Sequence, residues 1–102
     1  VVTTPQELAK IDATRSINMI KTMRVDVLGV VENFSGDIFG SGAGEELAME
    51  LDLNFLGRTE MRADYRDVSK PAVLHSKDVR DEYESIIESM TSALDKLSVG
   101  AV

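Results

Sequence analysis

Between Asp26 and Leu47 the chain changes character twice within a few residues. Val25 to Val31 is almost uninterruptedly apolar and rich in valine, with one glycine, Gly29. Such a run predicts a strand covered on both faces, which is the pattern of a parallel sheet. It leads to a polar side chain, Asn33, and then to a glycine-rich loop over Gly36 to Gly44. Beyond the loop, Glu45 to Leu51 predicts a short helix with Leu47, Ala48 and Leu51 inward. Strand, loop and helix in that order make a ligand-binding edge, because in open α/β sheets the crevice lies beyond the carboxyl ends of the strands.

The flanking segments extend the alternation. Val1 to Thr4 reads as a strand end. Thr4 is placed to cap a helix, with Pro5 at its first position and Glu7 at its third. That helix is expected from Pro5 to Met23, with Leu8, Ile11, Ile17, Met19 and Ile20 on its inner face. Leu53 to Gly57 predicts a third strand. Met61 to Pro71 reads as irregular or weakly helical, docked by Tyr65, Val68 and Ala72. Lys77 to Leu97 predicts a long amphipathic helix. Its stripe of Val79, Tyr83, Ile86, Ile87, Met90, Leu94 and Leu97 is expected to pack on the sheet. Ser98 to Val102 reads as a tail. The order β-α-β-α-β-α gives an α/β fold, a parallel sheet with crossover helices. So small a sheet is expected to leave an apolar face or edge for a second polypeptide to cover.

Charge and composition narrow the function. The chain has 102 residues, room for one domain or part of one, and a formal net charge of −7. That balance disfavours both a phosphate backbone and an anionic membrane surface. There are no cysteines, so this chain supplies no disulfide, no thiolate metal ligand and no cysteine nucleophile. The apolar runs are too short to span a bilayer, and Val1 to Thr4 does not resemble a secretory leader. Nucleic acid and membrane are therefore not expected as partners, and a cytoplasmic location follows by default. A start on a strand-like segment without methionine leads us to expect a piece of a longer protein.

No catalytic set stands out. Gly40-Ser41-Gly42-Ala43-Gly44 lacks the Lys-Ser/Thr ending of a P-loop. Glu45 and Glu46 stand where a phosphate would meet the helix N-terminus, so a plain turn-forming loop is expected. The amide of Asn33 has both donors and an acceptor, which suits the edge of a purine or, equally, nearby backbone. Asp12 either pairs with a distant lysine or is solvated. His75, the sole histidine, has no partners at a recognisable catalytic spacing. Asp37, Glu45 and Glu46 form an acidic loop that is expected to be solvated. Met19, Met49, Met61 and Met90 read as core filler.

Several blocks together carry a resemblance. Val-Val-Thr-Thr-Pro-Gln-Glu-Leu-Ala at 1–9, Asp12, Ile17-Asn18-Met19, Leu28-Gly29-Val30-Val31-Glu32-Asn33-Phe34-Ser35 and Asp37-Ile38-Phe39-Gly40 resemble the Mrp family. These are deviant P-loop ATPases related to MinD and ParA that carry iron–sulfur clusters. The match reaches about Leu97 and corresponds to the C-terminal portion of a three-layer P-loop NTPase-like domain. The resemblance implies ATP and Mg²⁺ as cofactors of the intact protein, and either a homodimer or a missing N-terminal half as partner. It implies nucleotide contacts at four positions. Asn33 would read the adenine and Asp12 would pair with the P-loop lysine. Glu60 and Met61 would belong to the segment, about Gly57 to Ala63, that covers the base. The chain departs from the family in three ways. It has no Walker A loop, so by itself it is not expected to hydrolyse ATP. Ser35 runs directly into Gly36-Asp37, without the Cys-Pro-x-Cys segment that holds the bridging cluster, so it offers no iron–sulfur ligands. Glu60 stands where the family often has proline. The alternatives are a MinD/ParA-like positioning ATPase without a cluster and a non-catalytic, dimerising interaction module.

Overall fold

The structure, a computed structural model, describes residues 1–100, with side-chain surroundings through Leu97. Three strands, β1 (Val2–Thr3), β2 (Val30–Ser35) and β3 (Phe55–Glu60), form a parallel sheet in the order β1-β2-β3. Helix α1 (Glu7–Thr22) joins β1 to β2, and α2 (Ala43–Glu50) joins β2 to β3. A single 3₁₀ turn at Ala63–Arg66 and a short helix α3 (Ala72–His75) lead into the long α4 (Lys77–Gly100). This is an α/β fold of the P-loop NTPase-like type, in the alternating order that the hydrophobic pattern gives.

The core lies where α1 and α2 meet the sheet. Ala13, Ile17, Val30, Leu47 and Ala48 are buried together, with Val27, Leu51, Leu53 and Phe55 packed around them. Leu56, one residue on from Phe55 and so facing the other way, shares a cleft with Ala93 of α4. Gly57 brings β3 close to that helix: a Cβ there would lie 2.7 Å from Ile86.

The central strand sits further along the chain than its apolar run suggests. Pairing decides the bounds: Val31 pairs with Val2, Glu32 with Thr3, and Val30 with Phe55. Val25 to Gly29 precede these partners. Gly29 presses on the segment entering β3, where a Cβ would meet the Asn54 carbonyl at 2.6 Å, and Val25 is 55% exposed. Asn33 is consequently inside the strand, with Phe34 and Ser35 beyond it. β3 is displaced in the same direction, because Leu53 belongs to the end of α2: its N–H donates to Ala48 O at 2.8 Å.

Helix bounds and inner faces also differ. α1 begins after Gln6, whose extended backbone (ψ 143°) keeps Thr4 and Pro5 outside the helix. Its inner face is Ala13 and Ile17, whereas Leu8, Ile11 and Met19 are exposed. α2 starts at Ala43, two residues before the expected Glu45. On α4 the buried positions are Val79, Ile86 and Ala93, spaced by seven, while Tyr83, Ile87, Met90, Leu94 and Leu97 remain open. Met49 and Met61 are exposed too, so the methionines are not core filler. Val68, 90% exposed, does not dock the segment before α3, whereas Tyr65 is part-covered and meets Tyr83 of α4. The helix covers Ser98 to Gly100 of the expected tail, and 101–102 lie outside the described residues.

Two helices end in the same way. After α1, Arg24 adopts φ 60°, its N–H donates to Lys21 O at 3.0 Å, and Val25 N–H reaches Ile20 O at 3.3 Å. After α2, Asp52 (φ 55°) and Leu53 repeat the pattern on Met49 O and Ala48 O. Paired bonds of this kind satisfy the carbonyls of the last turn.

Candidate functional site

The carboxyl ends of β2 and β3 carry the polar groups. Asn33 Oδ1 accepts from the Phe34 N–H at 3.0 Å and from the Thr59 hydroxyl at 2.7 Å. Phe34 holds a left-handed backbone (φ 57°), and Thr59 is buried in β3. Among the described residues the Nδ2 hydrogens of Asn33 have no partner. The amide therefore caps backbone through its oxygen and leaves its donors without a protein partner among the described residues.

Asn33 and Asp12 border one cleft of about 330 Å³, together with Thr3, Thr4, Ala13 and Ser16. It opens between β1, α1 and the end of β2. Asp12 is exposed on its rim. Glu60 and Met61 line a second cleft, of about 450 Å³, with Phe34, Ser35, Asp37 and Ile38. The four residues singled out from the sequence thus fall into two pairs, on either side of Asn33-Phe34-Ser35. A bond from Met61 N–H to Ser35 O at 3.2 Å ties the second cleft to β2.

The segment after β3 is fixed from α4. Glu82 accepts from Glu60 N–H at 2.9 Å and from Arg62 Nε at 3.1 Å. Arg62 also faces Glu60 at 3.5 Å and Asp78 at 3.7 Å. The bond to Glu82, outweighing partial burial, holds the guanidinium above its ordinary pKa.

The glycine-rich loop does not cradle a phosphate. Gly36 and Gly40 close on each other through two backbone bonds of 2.8 and 2.7 Å, leaving Asp37, Ile38 and Phe39 as an exposed tip. The N-terminus of α2 is already filled by the carboxylate of Glu32. That side chain has no exposed surface and accepts from Gly44 N–H at 2.8 Å and Gly42 N–H at 3.1 Å. Burial pushes its pKa up. The amides of Gly44 and Gly42 and the Ser35 hydroxyl outweigh that and hold it below the usual value. Gly44 makes room for the contact, since a Cβ there would meet Glu32 Cβ at 2.9 Å. Glu45 and Glu46, expected at this helix end, turn away to Arg58 at 3.1 Å and Lys10 at 3.0 Å. Among the described residues no cluster of His, Cys, Asp and Glu could hold a metal ion.

Glu32 and Thr59 were not marked by the sequence as site residues. A charge two positions along the strand from Val30, followed by a run of glycines, was the available signal for Glu32. Thr59 carried none, because its role depends on a cross-strand neighbour. His75 is half-buried, and its Nε2 has no hydrogen-bond partner among the described residues.

These features have counterparts among known proteins. A family model described as ParA, NUBPL iron-transfer P-loop NTPase, matches residues 1–95. An iron-sulfur cluster carrier protein of Methanocaldococcus jannaschii is 33% identical over 93% of this chain and 37% of its own length. One from Pyrococcus horikoshii is 40% identical over 74% of the chain and 30% of its own length. The cytosolic Fe-S cluster assembly factor CFD1 of Debaryomyces hansenii is 49% identical over 56% of the chain and 22% of its own length. The chain thus spans less than two-fifths of the carrier proteins that it matches. With nearly all its residues inside the family model, the chain belongs to the Mrp/NUBPL family of iron-transfer P-loop NTPases.

Proposed function

We propose that this chain is the C-terminal part, residues 1–97 with a short tail, of a nucleotide-binding ATPase that acts in iron–sulfur cluster assembly. The observation that carries the reading is the Asn33 amide of β2, fixed by Thr59 and Phe34, with its donors unpartnered beside a cleft lined by β1 and α1. A purine base is the ligand of that chemistry, and Asp12 on the same cleft meets a cation from outside the chain. Glu60 and Met61 border the base from the second cleft.

The fit is limited to the base end. Glu32 fills the only glycine-rich helix start among the described residues, so the phosphates and Mg²⁺ of ATP are held by other residues of the intact protein. When bound, ATP supplies the energy of γ-phosphate cleavage, and Asn33 orients the base. An iron–sulfur cluster is cargo, and its ligands come from outside this chain, which has no cysteine. The intact protein works as a homodimer in the cytoplasm. Among the described residues no helix is long and apolar enough to cross a membrane.

Nucleotide titration of the full-length protein tests this. Asn33→Ala weakens adenine-nucleotide binding by about three- to tenfold, the effect of one or two neutral hydrogen bonds. Unchanged affinity would remove Asn33 from the site. Anaerobic purification with iron analysis tests the cluster: iron-free protein that still binds ATP would favour a positioning ATPase of the MinD/ParA kind.

A further inference from the structure

Resting on the nucleotide reading above, we infer that Glu82 of α4 is a positioning residue for the nucleotide. Its carboxylate holds the Glu60-Met61 wall of the second cleft in place, and through that wall it sets how firmly the nucleotide is bound.

The wall needs such a tie. It leaves the sheet at the last rung of the ladder, Ser35 with Glu60. Met61 N–H turns to β2 and donates to Ser35 O at 3.2 Å. Successive N–H groups of an extended chain point to opposite sides, so that of Glu60 points to the open side of β3, where no strand follows among the described residues. A backbone donor there needs an acceptor from elsewhere. Glu82 Oε2 supplies it at 2.9 Å, and Glu82 Oε1 accepts from Arg62 Nε at 3.1 Å. The two oxygens of one carboxylate thus hold the residues on either side of Met61. Apolar packing adds little: Met61 is 40% exposed, and the 3₁₀ turn at Ala63–Arg66 that follows has no buried residue.

The anchor is firmer than the wall. The side chains of Glu82 and Arg62 are only 14% and 21% exposed, so salt and water screen this pair less than a surface one. Ile86, one turn further along α4, is buried and packs close to Gly57 of β3. The main core lies elsewhere, between α1, α2 and the sheet. Cutting the tie therefore loosens the wall and leaves that core as it is.

Two measurements on the full-length protein test this, each on wild type, Glu82→Ala and Glu82→Gln. They are amide hydrogen exchange without nucleotide and the dissociation constant of ADP. Glu82→Ala is expected to speed exchange at Glu60 while Val30 and Val31 of β2 keep their wild-type rates. It is expected to weaken ADP binding by about three- to tenfold, the effect of one or two lost bonds. Glu82→Gln keeps an acceptor for the Glu60 N–H and loses the charge that faces Arg62, so it should fall between the other two. Should the alanine variant not fold, the glutamine variant against wild type decides. Unchanged exchange at Glu60 overturns the inference, as does faster exchange there with unchanged ADP affinity. Faster exchange at Val30 and Val31 as well would make Glu82 a support of the whole fold and overturns it too. Each of these outcomes leaves nucleotide binding intact. If the wild type binds no ADP, the nucleotide reading fails and takes the inference with it.

Discussion

Glu32 shows what one side chain can do to a loop. A carboxylate with no exposed surface is tolerated only when charge-assisted bonds replace its water. Here the Gly42 and Gly44 amides and the positive end of α2 do so, and in return they fix the start of that helix. Glu32→Gln keeps the shape and loses the charge, and should lower stability by about 1.5–3 kcal/mol in denaturant unfolding at neutral pH. The pH dependence follows from the direction of the shift. The folded pKa lies below the ordinary value of 4.5, so the native state binds the proton less readily than the unfolded chain. The stabilisation is complete above that value and disappears as pH falls through the folded pKa. Wild type and Glu32→Gln should therefore differ fully above pH 4.5 and converge as the pH falls through the folded pKa below it. Equal pH profiles for the two proteins would show that the carboxylate is not what the loop amides hold. At this scale the sequence was only partly legible. Asn33 and Asp12 stand out by residue type and do border one cleft, but Glu32 and Thr59 act through partners ten and twenty-six residues away.

Elements were legible in kind and order, and shifted in place. Hydrophobic runs mark which segments are covered, whereas strand bounds follow hydrogen-bonded partners, and the partners of β2 begin only at Val30. That is why Val25 to Gly29, apolar as it is, stays outside the ladder. Helix ends depended on backbone details no period reveals. Arg24 occupies a left-handed position (φ 60°) that glycine adopts more readily. Arg24→Gly removes this strain at the cost of a more flexible unfolded chain. It should raise stability by about 0.5–1 kcal/mol, read as a higher denaturant midpoint with unchanged slope. Gly57 is the opposite case. Its φ of 145° and the 2.7 Å approach of Ile86 leave no room for a methyl group. Gly57→Ala should push β3 off α4 and destabilise by about 1–3 kcal/mol. A neutral result in the same unfolding assay would mean that the helix backs away without loss.

Across the whole molecule, burial is uneven. α1 and α2 close one face of the sheet over a continuous core, while the buried apolar positions of α4, among the described residues, are Val79, Ile86 and Ala93. Its apolar residues Tyr83, Ile87, Met90, Leu94 and Leu97 recur at intervals of four and three and are 38–58% exposed. A separate exposed apolar residue, Val2, 65% exposed, lies at the β1 edge of the sheet, opposite the β3 edge on which α4 packs. The sequence pattern could not separate the two stripes of α4, because both have helical spacing. It did give the consequence, that so small a parallel sheet leaves apolar surface uncovered. Exposed apolar surface of this kind drives association in water. Produced as residues 1–102 alone, the chain should therefore self-associate, with a light-scattering mass above the 11.2 kDa of one copy. Replacing Ile87 and Leu94 by lysine puts two charges on the open stripe and touches none of the buried positions. That double variant should return toward one copy while keeping its helical circular dichroism. A wild-type chain that runs as a single copy at tens of micromolar would mean that the exposed stripe is too broken by polar neighbours to act as one surface.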